Sequence, residues 1–415
     1  MAQVLEFMHR KRVGVFFGGQ SPEHEVSVIS GLQTAAALDT DKFEVTPVYV
    51  SKSGHWYTGE NLLEVKRYAD LDAVMAAATE ISLAPGPGTT LSLCSRSTKR
   101  FSAPQEWHID VAFLVFHGGA GENGAVQGLC ESLGVPYTGS DVLSSALGMN
   151  KVRSKAICQA SGIPVVKWTE VWESAWAGSE ESELDRIEKE IGFPAIVKPV
   201  RLGSSIGIAR VENREDLDGA IEEALRYDVS VLVEMLVSDL REINCSVMGN
   251  RDSCQVSLLE EPTSSGEVLS FQDKYMQSSA SSKTSTTSGG AKFLEASGMA
   301  SLSRLIPAPV TEEVATKISR MAETIFKALD CSGVVRIDFL MDRGSSEIWF
   351  NEINTIPGSL SFYLWEPTGL SFIELVERLI SIAVDRFESR VRRVRTYDVN
   401  LLSERSASGL KGNKS

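Results

Sequence analysis

The chain has 415 residues, 43% hydrophobic and 23% charged, an ordinary globular composition with room for two or three packed domains. Its formal net charge of -14 argues against a general nucleic-acid binder, which needs a basic face. No apolar run approaches the ~20 residues that span a bilayer, and Glu6, His9, Arg10, Lys11 and Arg12 interrupt any signal-peptide core, so a cytoplasmic protein with no membrane segment is expected.

An apolar run from Arg12 to Phe17 ends in Gly18-Gly19, a strand feeding a turn. A helix over Val26–Leu38 and a strand over Phe43–Val50 follow, then a Pro/Gly/Ser/Thr-rich stretch from Leu83 to Gln105 that reads as a surface insertion. The strand Val111–Phe116 and a helix over Val126–Leu133 continue the alternation. It predicts an α/β fold with a doubly wound, mostly parallel sheet across residues 12–145. A second unit, 146–240, holds the strand Ala195–Lys198, a Gly/Ser loop at 203–207 and the strand Val229–Glu234. A third, 241–393, holds the strand Ile243–Met248, a helix over Glu312–Leu329, a hairpin of Val334–Met341 and Glu347–Asn354, and a final helix from Phe372 to Arg390. Residues 277–290 and the tail 394–415 are too polar to offset ordering entropy and are expected to be disordered.

Six cysteines without a CxxC pair read as free thiols, and five histidines confined to the first 117 residues offer no paired-ligand pattern for a transition metal. The hairpin is more informative. Side chains alternate along a strand, so Arg336 and Asp338 share a face, as do Glu352 and Asn354 on the partner. An arginine, two carboxylates and an amide on one surface suit Mg²⁺ shared with phosphates, although a solvated sheet face reads the same way. Lys198 ends an apolar strand before Gly203-Ser204-Ser205-Ile206-Gly207, a loop whose N–H groups could approach phosphate but which could equally be plain linker. It is not a Walker A motif. Near Gly18-Gly19, Ser21 or Glu25 would serve simply as a helix cap. Gly119–Gly124 fits GxGxxG and raises a Rossmann dehydrogenase as a rival, but it is not in the first βα turn and Glu122 inside it would repel a pyrophosphate.

Taken in order, six blocks resemble the D-alanine–D-alanine ligases of the ATP-grasp superfamily: GGQSPEHEVS at 18–27, FHGGAGENGAVQG at 116–128, YTGSDVLSSALGMNKVRSK at 137–155, IVKPVRLGSSIG at 196–207, DKY at 273–275, and RIDF with NEINTIPG at 336–339 and 351–358. The resemblance implies an N-terminal α/β domain followed by an ATP-grasp fold of two subdomains, ATP as co-substrate, magnesium or manganese as two bound ions, D-alanine as substrate, and a homodimer. It implies that Lys151, Lys198 and Lys274 contact ATP with Ser204 and Ser205, that Glu234 meets adenine, and that Glu242 meets the ribose. Asp338, Glu352 and Asn354 match metal ligands. Glu23, Ser204 and Tyr275 match a trio around the first D-alanine, supported by His117 and Glu122. Arg336 and the N–H of Gly358 match the oxyanion site.

The chain departs from the family after Gly358, where Ser359–Tyr363 leads almost directly into Leu364-Trp365-Glu366, and in one extra residue between Glu234 and Glu242. The loop after Tyr275 is also expanded. A different acceptor therefore stands beside D-alanine: D-serine, D-lactate or another amine. Retention of Lys274-Tyr275 favours an amine over a hydroxy acid.

Overall fold

The computed structural model describes residues 10–96, 104–263 and 304–394. In the first sheet β1 (Lys11–Gly18) is buried from Val13 onwards, as a central parallel strand must be. Helix α1 (His24–Ala37) leads into β2 (Phe43–Val50), which pairs parallel with β1. Short β3 (Trp56–Thr58) turns the sheet antiparallel, and β4 (Thr79–Pro85), β5 (Leu91–Ser95) and β6 (Glu106–Ile109) extend it. Then β7 (Val111–Leu114) returns parallel on the other side of β1, giving the order β6-β5-β4-β3-β2-β1-β7.

The stretch from Leu83 to Gln105 is therefore not a surface insertion. It contributes the end of β4 and the whole of β5, paired, with Leu91 and Leu93 buried, and the Pro/Gly signal marks only the turn closed by Gly86 N–H donating to the Thr90 carbonyl at 2.8 Å. Residues 97–103 lie outside the described residues.

Helices α2 (Ala125–Leu133), α3 (Val142–Met149) and α4 (Lys151–Ala160) connect to the second sheet. Two short polar side chains start the last two: Asp141 accepts from Ser144 N–H and Asn150 from Arg153 N–H. The second sheet uses β8 (Trp168–Trp172), helix α5 (Glu180–Glu190), β9 (Ala195–Pro199), β10 (Ala209–Val211), helix α6 (Arg214–Leu225) and β11 (Ser230–Met235), in the antiparallel order β10-β9-β11-β8. Leu184, Ile187, Leu217 and Ile221 of its helices cover Val197, Val231 and Val233. Strand alternation sends Lys198 and Glu234 to the opposite face.

The third sheet runs antiparallel through β12 (Leu240–Gly249), β13 (Cys254–Pro262), β14 (Arg304–Leu305), β15 (Gly333–Asp342) and β16 (Ile348–Asn354), in the order β14-β13-β12-β15-β16. Helix α7 (Glu312–Ala328) packs Ile318, Met321 and Ile325 among Val335, Ile337 and Phe339, leaving Arg336 and Asp338 on the free face. The β15–β16 ladder carries a bulge: Asp338 faces Glu352 while Phe339 faces Phe350, so Asn351 is extra. Without it Phe350 and Glu352, two residues apart, would share a face. With it Phe350 fills the core and Glu352 joins Asp338.

Helix α8 (Phe372–Val391) opens on a capping box of Ser371 and Glu374. Its Leu375, Leu379 and Ile380 enter the core of the first sheet, so the C-terminal end of the chain ties back to the N-terminal unit. All six cysteines are free. Among the described residues no helix is long and apolar enough to cross a membrane.

Candidate functional site

The sequence-predicted residues converge on two adjoining clefts between the three sheets. One is lined by Glu23, His117, Glu122, Ser204, Arg336, Asn354 and Gly358. The other is lined by Lys198, Ser205, Glu234, Glu242 and Asp338 along an apolar wall that includes Ile196, Leu236 and Leu340. Lys151, Leu202, Gly203 and Glu352 line both. Lys274 and Tyr275 lie outside the described residues.

Glu23 sits at the start of α1, immediately before the first helical residue, and makes no side-chain cap bond. The capping expected of Ser21 or Glu25 is not made either: Ser21 Oγ accepts from Glu23 N–H at 3.1 Å, and Glu25 pairs with Lys52. The Glu23 carboxylate instead accepts from the hydroxyl of Ser204, 181 residues away. Two glycines make room for it. A Cβ on Gly118, whose φ is +67°, would stand 2.8 Å from Glu23 Oε2, and one on Gly203 would stand 3.0 Å from it. Ser204 and Ser205 both have positive φ, 55° and 58°, a conformation costly for serine that the surrounding contacts, the Glu23 bond among them, hold in place.

His117 and Glu122 hold the turn after β16. The His117 Nδ1 lies 2.8 Å from the Ile356 carbonyl and Nε2 lies 2.9 Å from Ser30 Oγ. Burial drives this imidazole down to about 4, so it is neutral at pH 7, with Nδ1–H donating to the carbonyl and Nε2 accepting from Ser30. Ser30 Oγ also accepts from Ser359 N–H at 3.0 Å. Glu122 accepts from Gly118 N–H at 2.8 Å and from Ile356 N–H at 3.0 Å. Burial, reinforced by nearby Glu23, raises its carboxyl to about 7 in spite of those donors. The GxGxxG segment is thus occupied by its own glutamate, which removes the dinucleotide reading.

On the third sheet, Arg336 grips Asp338 through two bonds of 2.7 Å, and Asn354 Nδ2 donates to Asp338 at 3.2 Å. Burial opposes the guanidinium charge, but Asp338 outweighs it and raises its pKa well above the usual value. Glu352, directly opposite Asp338, lies 3.3 Å from Lys151. Lys151 opens α4, against the helix dipole, and is held there by the Asn150 cap and by donating to the Leu202 carbonyl at 2.6 Å. Both carboxylates thus carry a cation, and the pair with the Asn354 amide forms a hard oxygen set. Among the described residues no three His, Cys, Asp or Glu side chains cluster for a metal, so such an ion would take its remaining ligands from water or phosphate oxygens.

Lys198 donates to Glu234 Oε1 and, at 3.2 Å, to Asn351 Oδ1. A third lysine, Lys155, stands 3.1 Å from Glu234 Oε2. Burial would raise the Glu234 carboxyl, but the two ammonium groups hold it at about 2. Burial also opposes the charge of Lys198, and Glu234 raises it overall. Sequence reasoning missed Lys155, Asn351 and Ser30. The spacing of Lys151 and Lys155, one helical turn apart, was the available signal for the first; the bulge that aims Asn351 has none.

The chain is similar to known proteins over nearly its whole length. A family model described as the D-ala D-ala ligase N-terminus matches residues 12–140, and one described as its C-terminus matches 157–292 and 290–381. The D-alanine–D-alanine ligase of Thermosipho melanesiensis is 38% identical over 390 residues, 94% of this chain and 98% of the relative. The chain belongs to the D-alanine–D-alanine ligase family. The family's enzyme from Bacillus cytotoxicus is 35% identical over 390 residues, covering 92% of this chain and 98% of its own. Among solved structures, the D-alanine–D-alanine ligase of Coxiella burnetii superimposes with a TM-score of 0.72 at 29% identity, covering 96% of this chain and 99% of its own. The VanG D-Ala:D-Ser ligase of Enterococcus faecalis gives 0.71 at 31% identity, covering 90% and 100%.

Proposed function

We propose that this chain is an ATP-dependent ligase that activates one D-alanine as an acyl phosphate and joins it to the amine of a second, for peptidoglycan precursor synthesis. The observation that carries the reading is the meeting of the two clefts at Lys151 and Glu352, a polar amino-acid side and a half-apolar nucleotide side sharing one junction. A carboxylate is a poor electrophile, so a donor oxygen first attacks the γ-phosphorus and ADP leaves. The acceptor amine then attacks the carbonyl carbon, and phosphate departs with the donor's oxygen.

In this reading Lys151, Lys198, Ser205 and Lys274 hold the phosphates, with Glu234 at the adenine and Glu242 at the ribose. Glu23, with Ser204 and Tyr275, receives the first ammonium. Arg336 and the Gly358 N–H receive the developing oxyanion, and the His117 and Glu122 clasp fixes the strand end that carries Gly358. Asp338, Glu352 and Asn354 would hold magnesium or manganese, in one or two ions, whose positive charge offsets that of the phosphates. The Gly203–Gly207 loop excludes water from the reactive acyl phosphate. The proposal includes three domains (12–145, 146–240, 241–393), a homodimer and a cytoplasmic location.

A second acceptor, D-serine, is favoured by one observation: a D-Ala:D-Ser ligase is among the similar structures at 31% identity. An acceptor panel separates the two. The activation step is tested with D-alanine labelled by ¹⁸O in its carboxylate. One label per dipeptide should appear in the released phosphate; unlabelled phosphate would refute the acyl phosphate.

A further inference from the structure

We infer that Lys155, outside the nucleotide set assigned above, is a positioning residue for it: it is the standing counter-charge of Glu234, and it frees Lys198 to turn towards phosphate. The inference rests on the ATP reading of the site.

Glu234 is bracketed. Lys198 takes one carboxylate oxygen and Lys155 the other, at 3.1 Å. The two lysines are not equivalent. Lys198 lines the nucleotide-side cleft and also reaches Asn351, whereas Lys155 is not part of that lining and its side chain is 0% exposed. Lys155 also donates to the Phe350 carbonyl at 3.3 Å, beside the bulge, and its ammonium lies 5.9 Å from the Phe350 ring centre. It is therefore held by β11 and β16 at once, with no path to a ligand.

A nucleotide brings several negative charges to the cleft and draws Lys198 from Glu234. A buried carboxylate stripped of its cation is strongly unfavourable. Lys155, unable to follow the phosphates, keeps that cost from falling on the binding step and keeps Glu234 ionised as an acceptor for an amine donor. Burial lowers the Lys155 pKa, and Glu234 offsets part of that effect. The placement makes one helix face serve two tasks. Lys151 at the start of α4 meets the cleft, and Lys155 one turn later meets the Glu234 carboxylate behind it.

The test is calorimetric binding of Mg-ADP to four proteins: wild type, Lys155→Met, Glu234→Gln and the double variant, with steady-state KM values for ATP and D-alanine. Lys155→Met should weaken Mg-ADP about tenfold, through loss of the buried ion pair that offsets Glu234, and raise the KM for ATP alike. The KM for D-alanine should stay within about twofold, since Lys155 does not line that cleft. Once Glu234 is uncharged the lysine has nothing to balance, so the double variant should bind no worse than Glu234→Gln alone. Unchanged nucleotide affinity in Lys155→Met, or losses that simply add in the double variant, would overturn the inference. If Lys155→Met alone fails to fold, the double variant should fold, because the uncompensated carboxylate is gone; its failure too would overturn the charge argument. A wild type that does not bind Mg-ADP would instead sink the ATP reading itself, and the inference with it.

Discussion

Replacing Glu122 with glutamine should change how stability depends on pH. The side chain is 7% exposed, and its carboxyl is raised from 4.5 to about 7 by burial and by Glu23. Between those values the folded protein holds a proton that the unfolded chain has lost, so folding stability falls as pH rises through this window and is level beyond it. At 1.36 kcal/mol for each pH unit, the fall is about 3 kcal/mol. Glutamine carries no such proton. It loses one acceptor towards the N–H groups of Gly118 and Ile356, a cost of about 1–3 kcal/mol that does not depend on pH. Urea unfolding followed by tryptophan fluorescence, from pH 4.5 to 8, gives both stabilities. Titrating groups remote from Glu122 cancel in the difference, which should move by about 3 kcal/mol in favour of the variant as pH rises. A difference constant within about 0.5 kcal/mol would refute the buried, proton-holding carboxyl.

Three further substitutions probe the site. Glu352→Gln removes a charge facing both Asp338 and Lys151 at nearly constant shape; it should abolish most turnover yet leave the far-ultraviolet circular dichroism unchanged, and near-normal turnover would refute its role. Gly118→Ala puts a Cβ 2.6 Å from Ser21 Oγ and 2.8 Å from Glu23 Oε2, at a φ of 67° and ψ of 178° that glycine alone enters freely, costing about 1–3 kcal/mol of stability. It should raise the KM for D-alanine without raising that for ATP. Asn150→Ala removes the cap that sets Lys151 at the start of α4; chemical unfolding should register a loss of about 1 kcal/mol, and the KM for ATP should rise.

Much of the site was legible because it depends on local order. The apolar runs ending before Gly18 and at Phe116, each followed by glycines, read as buried strands, and alternation put Arg336 with Asp338 and Glu352 with Asn354 on shared faces. What was hidden depends on tertiary placement. The strands flanking Gly86 were obscured by turn residues, and Trp56–Thr58 is too short to show a period. The packing of α8 on the first sheet joins segments more than 300 residues apart in sequence, such as Lys42 and Glu377. Alternation puts Arg336 beside Asp338, and helical spacing puts Lys155 one turn from Lys151, but neither pattern says which carboxylate each cation meets. Both follow from the need of a buried carboxylate for a cation, whichever strand or helix supplies it.

The central claim is tested most directly by phosphate release from Mg-ATP by the purified protein with D-alanine, L-alanine or no amino acid, with products identified by mass. Release that requires D-alanine, with one D-alanyl-D-alanine formed per phosphate, is the predicted result. Phosphate release that is indifferent to the amino acid, or no release at all, would contradict it.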